Sequence, residues 1–240
     1  MRGQIDLKQA QIFIQDGYTN AGAVNLLAGY TAGATVMAVD AITGIIPTGT
    51  TFTILGQDTE YEIVSHVETS GNTTSVTFIP ALTDAVADGA VITFKPHRIE
   101  VRIGEGNLTY SEKVTREYKK DRGKLDVVRD GDEEQLEVSF DFVWDHIIGS
   151  SGDPITIEEA LKQMGAASDW VSSSTEACEP YAVDLIVLHT PLCEGEEREQ
   201  LVFPDFRYDS LDHDLKAGTV ACKGACNVTR PIVTRLPVAA

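Results

Sequence analysis

Cys222 and Cys226 bracket the segment C-K-G-A-C, a spacing that invites a disulfide or one shared metal ion. On a β-strand, residues four apart lie roughly 13 Å from each other on one face, which rules out both unless the strand breaks at Gly224. Val220, Cys222, Gly224, Cys226 and Val228 have the same parity. The expectation is therefore thiols turned into a core, with a redox or metal role as the alternative; Cys178 and Cys193 complete the set. Asp126, Asp130, Gly131, Asp132, Glu134 and Glu137 fall where positions 1, 5, 6, 7, 9 and 12 of a calcium loop would be. Val128, at the third position, offers no side-chain oxygen, and the flanks read as strands, so a polar hairpin is favoured over a calcium site. Gly104-Glu105-Gly106 opens like a dinucleotide fingerprint, but the third glycine and the following helix are missing. No P-loop, H-E-x-x-H or G-x-S-x-G segment occurs. His66, His97, His146, His189 and His213 are scattered, none at ligand spacing from another, and read as surface or singly hydrogen-bonded side chains. No catalytic residue, cofactor or metal is expected.

Charge is more informative than any motif. Residues 113–124 hold six basic side chains (Lys113, Arg116, Lys119, Lys120, Arg122, Lys124) and two acidic ones, Glu117 and Asp121. Residues 130–137 hold five acidic side chains (Asp130, Asp132, Glu133, Glu134, Glu137) and no basic one. One reading is a solvated hairpin whose two limbs pair with each other. The other is a head-to-tail surface, with the basic limb of one copy meeting the acidic limb of the next.

The whole chain has 240 residues, with 19 Lys+Arg against 37 Asp+Glu, a formal net charge of −18. Such a chain makes one large domain or two small ones, with a core that needs no disulfide or metal. The acidity argues against a basic groove for phosphates and against docking on an anionic membrane. The N-terminal segment has no apolar run of the secretory kind, and Ala21 to Val39 is too weakly apolar to span a bilayer. A soluble protein made in a cytoplasm is expected.

The elements that must position these residues are nearly all strands. Ile5 to Gly17 reads as a strand ending in an Asp-Gly turn. Residues 29–96 are rich in Thr, Gly, Ala and Val, and carry seven acidic residues against one basic residue, Lys95. Short strands at Thr35–Val39, Thr51–Leu55, Tyr61–Val67, Ser75–Ile79 and Ala90–Phe94, with turn residues in each gap, predict a small barrel or sandwich. From His97 the strands lengthen: Arg98–Ile103, then Leu108–Lys120 with a tip at Asp121-Arg122-Gly123-Lys124. In Gln135–Val143, Leu136, Val138, Phe140 and Phe142 alternate with Gln135, Glu137, Ser139 and Asp141, so one face packs and the other is wet. Thr156-Ile157-Glu158-Glu159 is a capping box that starts the one convincing helix, with Gly165 placed to end it. Strands follow at Asp184–His189, Gln200–Phe206 and Thr219–Thr229, and Pro231–Ala240 reads as an extended arm. The layout is 1–28 with 97–240 as one β domain and 29–96 as a small β module inserted at a surface turn.

Gly104 to Asp145, the single short helix at Thr156–Met164, and the block from Phe203 to Val220 together resemble the tail tube proteins of long-tailed bacteriophages. Residues 29–96 resemble a small β module inserted in phage virion proteins. The resemblance implies a mainly β fold, a tail-tube-like β-sandwich or barrel with one flanking α-helix, plus the inserted all-β module. It further implies hexameric rings whose subunits share an inner β-barrel and stack around the tape measure protein, with tail-tip and terminator proteins at the ends. The location would be the virion tail, after synthesis in the cytoplasm of a bacterial host. DNA would pass through the lumen without specific binding, and no membrane is implied. Tyr118–Asp132 and Pro231–Ala240 would bridge rings, and Glu137, Ser139 and Asp141 are candidates for the lumen, where carboxylates would repel phosphate.

Two other classes compete. A decoration, baseplate or adhesion protein would use 29–96 to bind a receptor or glycan, although Tyr61 and Phe78 make a meagre stacking platform. A cell-wall hydrolase would need an Asp/Glu pair at working separation, and the many carboxylates leave such a pair open.

Overall fold

The computed structural model describes residues 10–42, 46, 50–69, 73–104, 107–144, 155–176, 178–190 and 198–236, without the side chains of 66–69, 73, 126 and 236. The fold is mainly β with one α-helix among these residues. In chain order the strands are β1 (Ala10–Gln15), β2 (Asn20–Val24), β3 (Val36–Asp40), β4 (Thr51–Ile54), β5 (Glu60–Thr69), β6 (Thr73–Ile79), β7 (Val91–Phe94) and β8 (Arg98–Glu100). They continue as β9 (Leu108–Ser111), β10 (Val114–Asp121), β11 (Lys124–Glu133) and β12 (Leu136–Val143). Helix α1 (Ile157–Lys162) precedes β13 (Val183–His189), β14 (Arg198–Asp214), β15 (Thr219–Cys226) and β16 (Ile232–Leu236).

The chain divides into two compact units, 1–15 with 98–168 and 172–240, and 16–97 with 169–171. In the first, an eight-stranded antiparallel sheet runs β8-β1-β13-β14-β15-β12-β9, with β16 also paired to β14. β12 alternates as its sequence predicts: Leu136, Val138, Phe140 and Phe142 are buried and pack with Val220, Cys222 and Phe206. Helix α1 carries the capping box, with Thr156 Oγ1 accepting from Glu159 N at 3.2 Å and Glu159 Oε2 accepting from Thr156 N at 3.0 Å. It ends before Gly165, at Gln163 in the left-handed region, and buries Ile157, Ala160 and Leu161. Tyr181 holds it by donating to the Ala160 carbonyl at 2.9 Å.

β14 runs far beyond the predicted Phe206 because bulges hide its period. Val183 faces Phe206 while Leu185 faces Phe203, so β14 carries one extra residue around Pro204 and Asp205, the latter at φ 53°. Parity would put Phe203 and Phe206 on opposite faces; the bulge buries both. A proline, with no N–H for the ladder, is tolerated at such a bulge. A second bulge follows between Tyr208 and Ser210. Ile232–Leu236, read from sequence within a free arm, instead pairs with Arg198–Val202 of β14.

The second unit is a closed barrel in the order β2-β3-β6-β5-β4-β7, back to β2. Met37, Val39, Phe52, Tyr61, Ile63, Val76, Phe78 and Phe94 fill it, with Phe52 stacked on Tyr61 at 5.3 Å and edge-on to Phe78 at 5.5 Å. The barrel begins earlier than residue 29. Asn20–Val24 pairs with β7 and β3 and supplies the closing strand, which Ala and Gly in the segment N-A-G-A-V disguise. Gly22 is required there, since a Cβ would lie 2.7 Å from Val39 Cγ1.

Candidate assembly surface

β10 and β11 form a separate two-stranded ribbon that, among the described residues, pairs with no other strand. Its tip has Arg122 at φ 48° and Gly123 at φ 83°, the left-handed pair of a two-residue hairpin turn. Register sets Val114 opposite Glu133, Arg116 opposite Asp130, Glu117 opposite Arg129 and Tyr118 opposite Val128. The two limbs therefore face each other within one chain, with Arg116 and Asp130, and Glu117 and Arg129, as opposite charges in register. Beyond that point Lys119 faces Val127 and Lys120 faces Leu125. Every β10 side chain is exposed, including Val114 (73%), as are Leu125 (65%), Tyr118 and Val128. Among the described residues Lys119, Lys120, Arg122 and Lys124 have no ion-pair partner.

The base is tied down. Lys113 Nζ donates to Glu137 Oε1 at 2.7 Å, and Thr115 Oγ1 donates to Glu134 Oε1 at 2.7 Å. The Glu137 hydrogen bond raises the Lys113 ammonium above its ordinary pKa, with Glu137 and Glu134 charge adding to it. Asp130, Asp132 and Glu133 lie along extended β11, with Glu134 just past its end. Residues 124–133 are a limb of a hairpin, the reading favoured over a calcium loop, and on a strand successive residues separate by about 3.3 Å rather than closing round one ion. The side chain of Asp126 lies outside the described residues.

Glu137, Ser139 and Asp141 share the wet face of β12. A row of polar side chains with one lysine crosses the sheet there, Thr109 opposite Ser139, Ser139 opposite Lys223, and Lys223 opposite Ser210. Thr109 and Ser139 are hydrogen-bonded at 2.9 Å. Together with Ser111, Gln135 and Asp209 they line an open concavity of about 470 Å³.

Cys222 and Cys226 are free and buried on the packed face, and burial pushes both thiols up to about 12. Cys178 is exposed; Cys193 lies outside the described residues. Gly104 adopts φ 56°, while Glu105 and Gly106 are outside the description. His66 is undescribed in its side chain, and His146 lies wholly outside the description.

Of the described histidines, His97 and His189 are buried, and His97 departs furthest from the surface or singly bonded role expected of it. His97 is buried, with Nδ1 at 2.6 Å from Asp16 Oδ2 and Nε2 at 2.8 Å from Thr50 Oγ1, and it stacks on Trp170 at 5.9 Å. This is the bonding order of a base-activated hydroxyl. Thr50 has no exposed surface, however. Asp16 also accepts from the backbone N–H of His97 at 2.7 Å, Tyr18 at 3.2 Å and Val171 at 3.2 Å, which makes the cluster a clasp where the chain enters and leaves the barrel. Tyr61 and Phe78, the aromatics considered for sugar stacking, lie inside the barrel core.

No family model, curated protein or solved structure matches this chain.

Proposed function

We propose that the chain is a structural subunit that assembles with copies of itself into stacked rings, as a phage tail tube does. The observation that carries this reading is the β10–β11 ribbon. A two-stranded ribbon is at best marginally stable alone in water, and this one presents Val114, Tyr118, Leu125 and Val128 to solvent. Exposed apolar side chains in such number mark an interaction surface. A neighbouring subunit would cover them, and the heterologous contact would build an open, growing assembly.

The wet sheet face supports the second part of the reading. Thr109, Ser111, Ser139 and the carboxylates of Glu137 and Asp141 make a polar surface suited to a lumen. The Glu137 and Asp141 carboxylates on such a wall would repel the phosphates of passing DNA, with Lys223 the one cation in the row that crosses it. Tape measure, tail-tip and terminator proteins would be the other partners, the setting would be a virion tail, and no catalysis is assigned. Negative-stain electron microscopy of the purified chain tests the proposal: rings or tubes are expected. A chain that stays monomeric at high concentration across a range of salt would overturn it.

A further inference from the structure

The strand directions of the barrel sort its loops into two ends. β2, β4 and β6 run away from the clasp at Asp16 and His97, and β3, β5 and β7 run back. Residues 25–35, 55–59 and 80–90 therefore form the far end. Hydrogen bonds join these loops: Leu26 N donates to Asp88 Oδ1 at 3.0 Å, Leu55 N to the Val91 carbonyl at 2.9 Å, and Gln57 Nε2 to the Asp84 carbonyl at 3.2 Å. This end exposes Leu27 (94%), Leu55 (78%) and part of Leu26. Its charged residues are Asp58, Asp84 and Asp88, all exposed, and its loops contain no Lys, Arg or His. Exposed leucines and carboxylates thus share this end, with no cationic residue in its loops, a combination that fits a partner both cationic and apolar.

The ribbon tip has the complementary character. Residues 119–125 hold Lys119, Lys120, Arg122 and Lys124 against Asp121, and carry exposed Leu125. It is a cationic, apolar point on a chain of net charge −18. We infer that the barrel end of one copy receives the ribbon tip of a second copy, with the leucines in contact and the lysines facing the Asp58–Asp84 rim. Opposite charge would steer the encounter and set the register, while leucine burial would hold it. The inference rests on the subunit reading, to which it adds the partner surface: the inserted barrel is the receptor for the ribbon.

Paired charge reversal tests this on the full chain. One variant carries K119E, K120E and K124E; the other carries D58K and D84K, sparing Asp88 because it caps Leu26. Sedimentation velocity should show each variant associating at least about tenfold more weakly than the parent, the scale of a lost charge-complementary contact. An equimolar mixture should co-assemble, because every ribbon then meets a barrel of opposite sign. Rescue on mixing requires contact between copies and excludes one within a chain. Leu27→Ser, at a position too exposed to matter for folding, should weaken association in the same direction. If the parent assembles and the D58K/D84K variant assembles equally well, the barrel is not the receptor, although the subunit reading survives. If the parent never assembles, the subunit reading fails instead. Tight binding of duplex DNA by the parent, lost in the lysine variant, would assign the tip to nucleic acid and overturn the inference.

Discussion

Asp16 and His97 are 81 residues apart in the chain and bonded twice, Oδ1 to the backbone N–H at 2.7 Å and Oδ2 to Nδ1 at 2.6 Å. One carboxylate thus joins the two strands between which the barrel is inserted. The Tyr18 and Val171 N–H groups use the same two oxygens, so removing the side chain leaves four donors without an acceptor. Asp16→Ala should lower unfolding stability by about 3 kcal/mol, since each buried unsatisfied group costs of order 1–3 kcal/mol and the effects overlap. Asp16→Asn, which keeps one carbonyl acceptor, should lose less. Urea denaturation checks the order; equal stability of all three chains would show the clasp to be unimportant.

Gly224 sits where the ring of Phe206 crosses β15. A Cβ there would lie 2.1 Å from the Arg207 carbonyl oxygen and 2.7 Å from Phe206 Cζ. Backbone cannot yield as a side-chain end does, so Gly224→Ala should cost about 1–3 kcal/mol by overpacking. Thermal unfolding should show a clear drop in Tm, whereas Gly218→Ala, with open space at its Cβ, should pay only for its φ of 67°.

Much of this could be read from residue order, and the failures have physical causes. The alternation in Leu136–Val143 located a packed face and a wet one because an unbroken strand keeps a period of two. In β14 the same logic stops at Phe206, since each bulge shifts the parity by one. β2 was hidden by small residues whose inward role is set by close approach, as at Gly22, rather than by hydrophobicity. The capping box was legible because both partners lie within four residues. The clasp was not, because a hydrogen bond between Asp16 and His97 leaves no local pattern. The charge blocks of the ribbon were plain, but only register shows Arg116 and Glu117 opposite Asp130 and Arg129 while Lys119 and Lys120 face Val127 and Leu125.

The cysteines should divide by burial. Thiols raised to about 12 carry almost no thiolate at pH 8, and Cys222 and Cys226 are also shielded by the sheet. Brief alkylation of the native chain at pH 8 should modify exposed Cys178 and spare these two, as read by peptide mass spectrometry. Modification of Cys222 at the rate of Cys178 would contradict the packed face assigned to β15.

Acid should loosen the helix. The Glu158 carboxyl is held below its ordinary value of 4.5, first by a hydrogen bond from Lys162 and then by one from His213. Because folding lowers this pKa, the stabilisation is complete above the unfolded value and is lost as pH falls through the folded one. Glu158→Gln should therefore cost about 0.5 kcal/mol at neutral pH and less near pH 3, the scale of a partly exposed i,i+4 pair. Stability curves at the two pH values check the sign; a larger loss at low pH would reverse it.

Deleting the ribbon should separate folding from assembly. Lys113 and Glu134 flank it, and among the described residues its strands pair only with each other, so excising 114–133 and joining these ends through a short turn removes none of the first unit's described buried apolar side chains. The Lys113–Glu137 contact lies outside the cut. The shortened chain should keep the Tm of the parent within a few degrees, because surface changes away from packed groups shift stability by less than about 0.5 kcal/mol. It should form no tubes, since the side chains proposed to reach a second copy are gone. Retention of tubes would move the assembly contact elsewhere on the sheet, and a collapse of Tm would show that the ribbon belongs to the core.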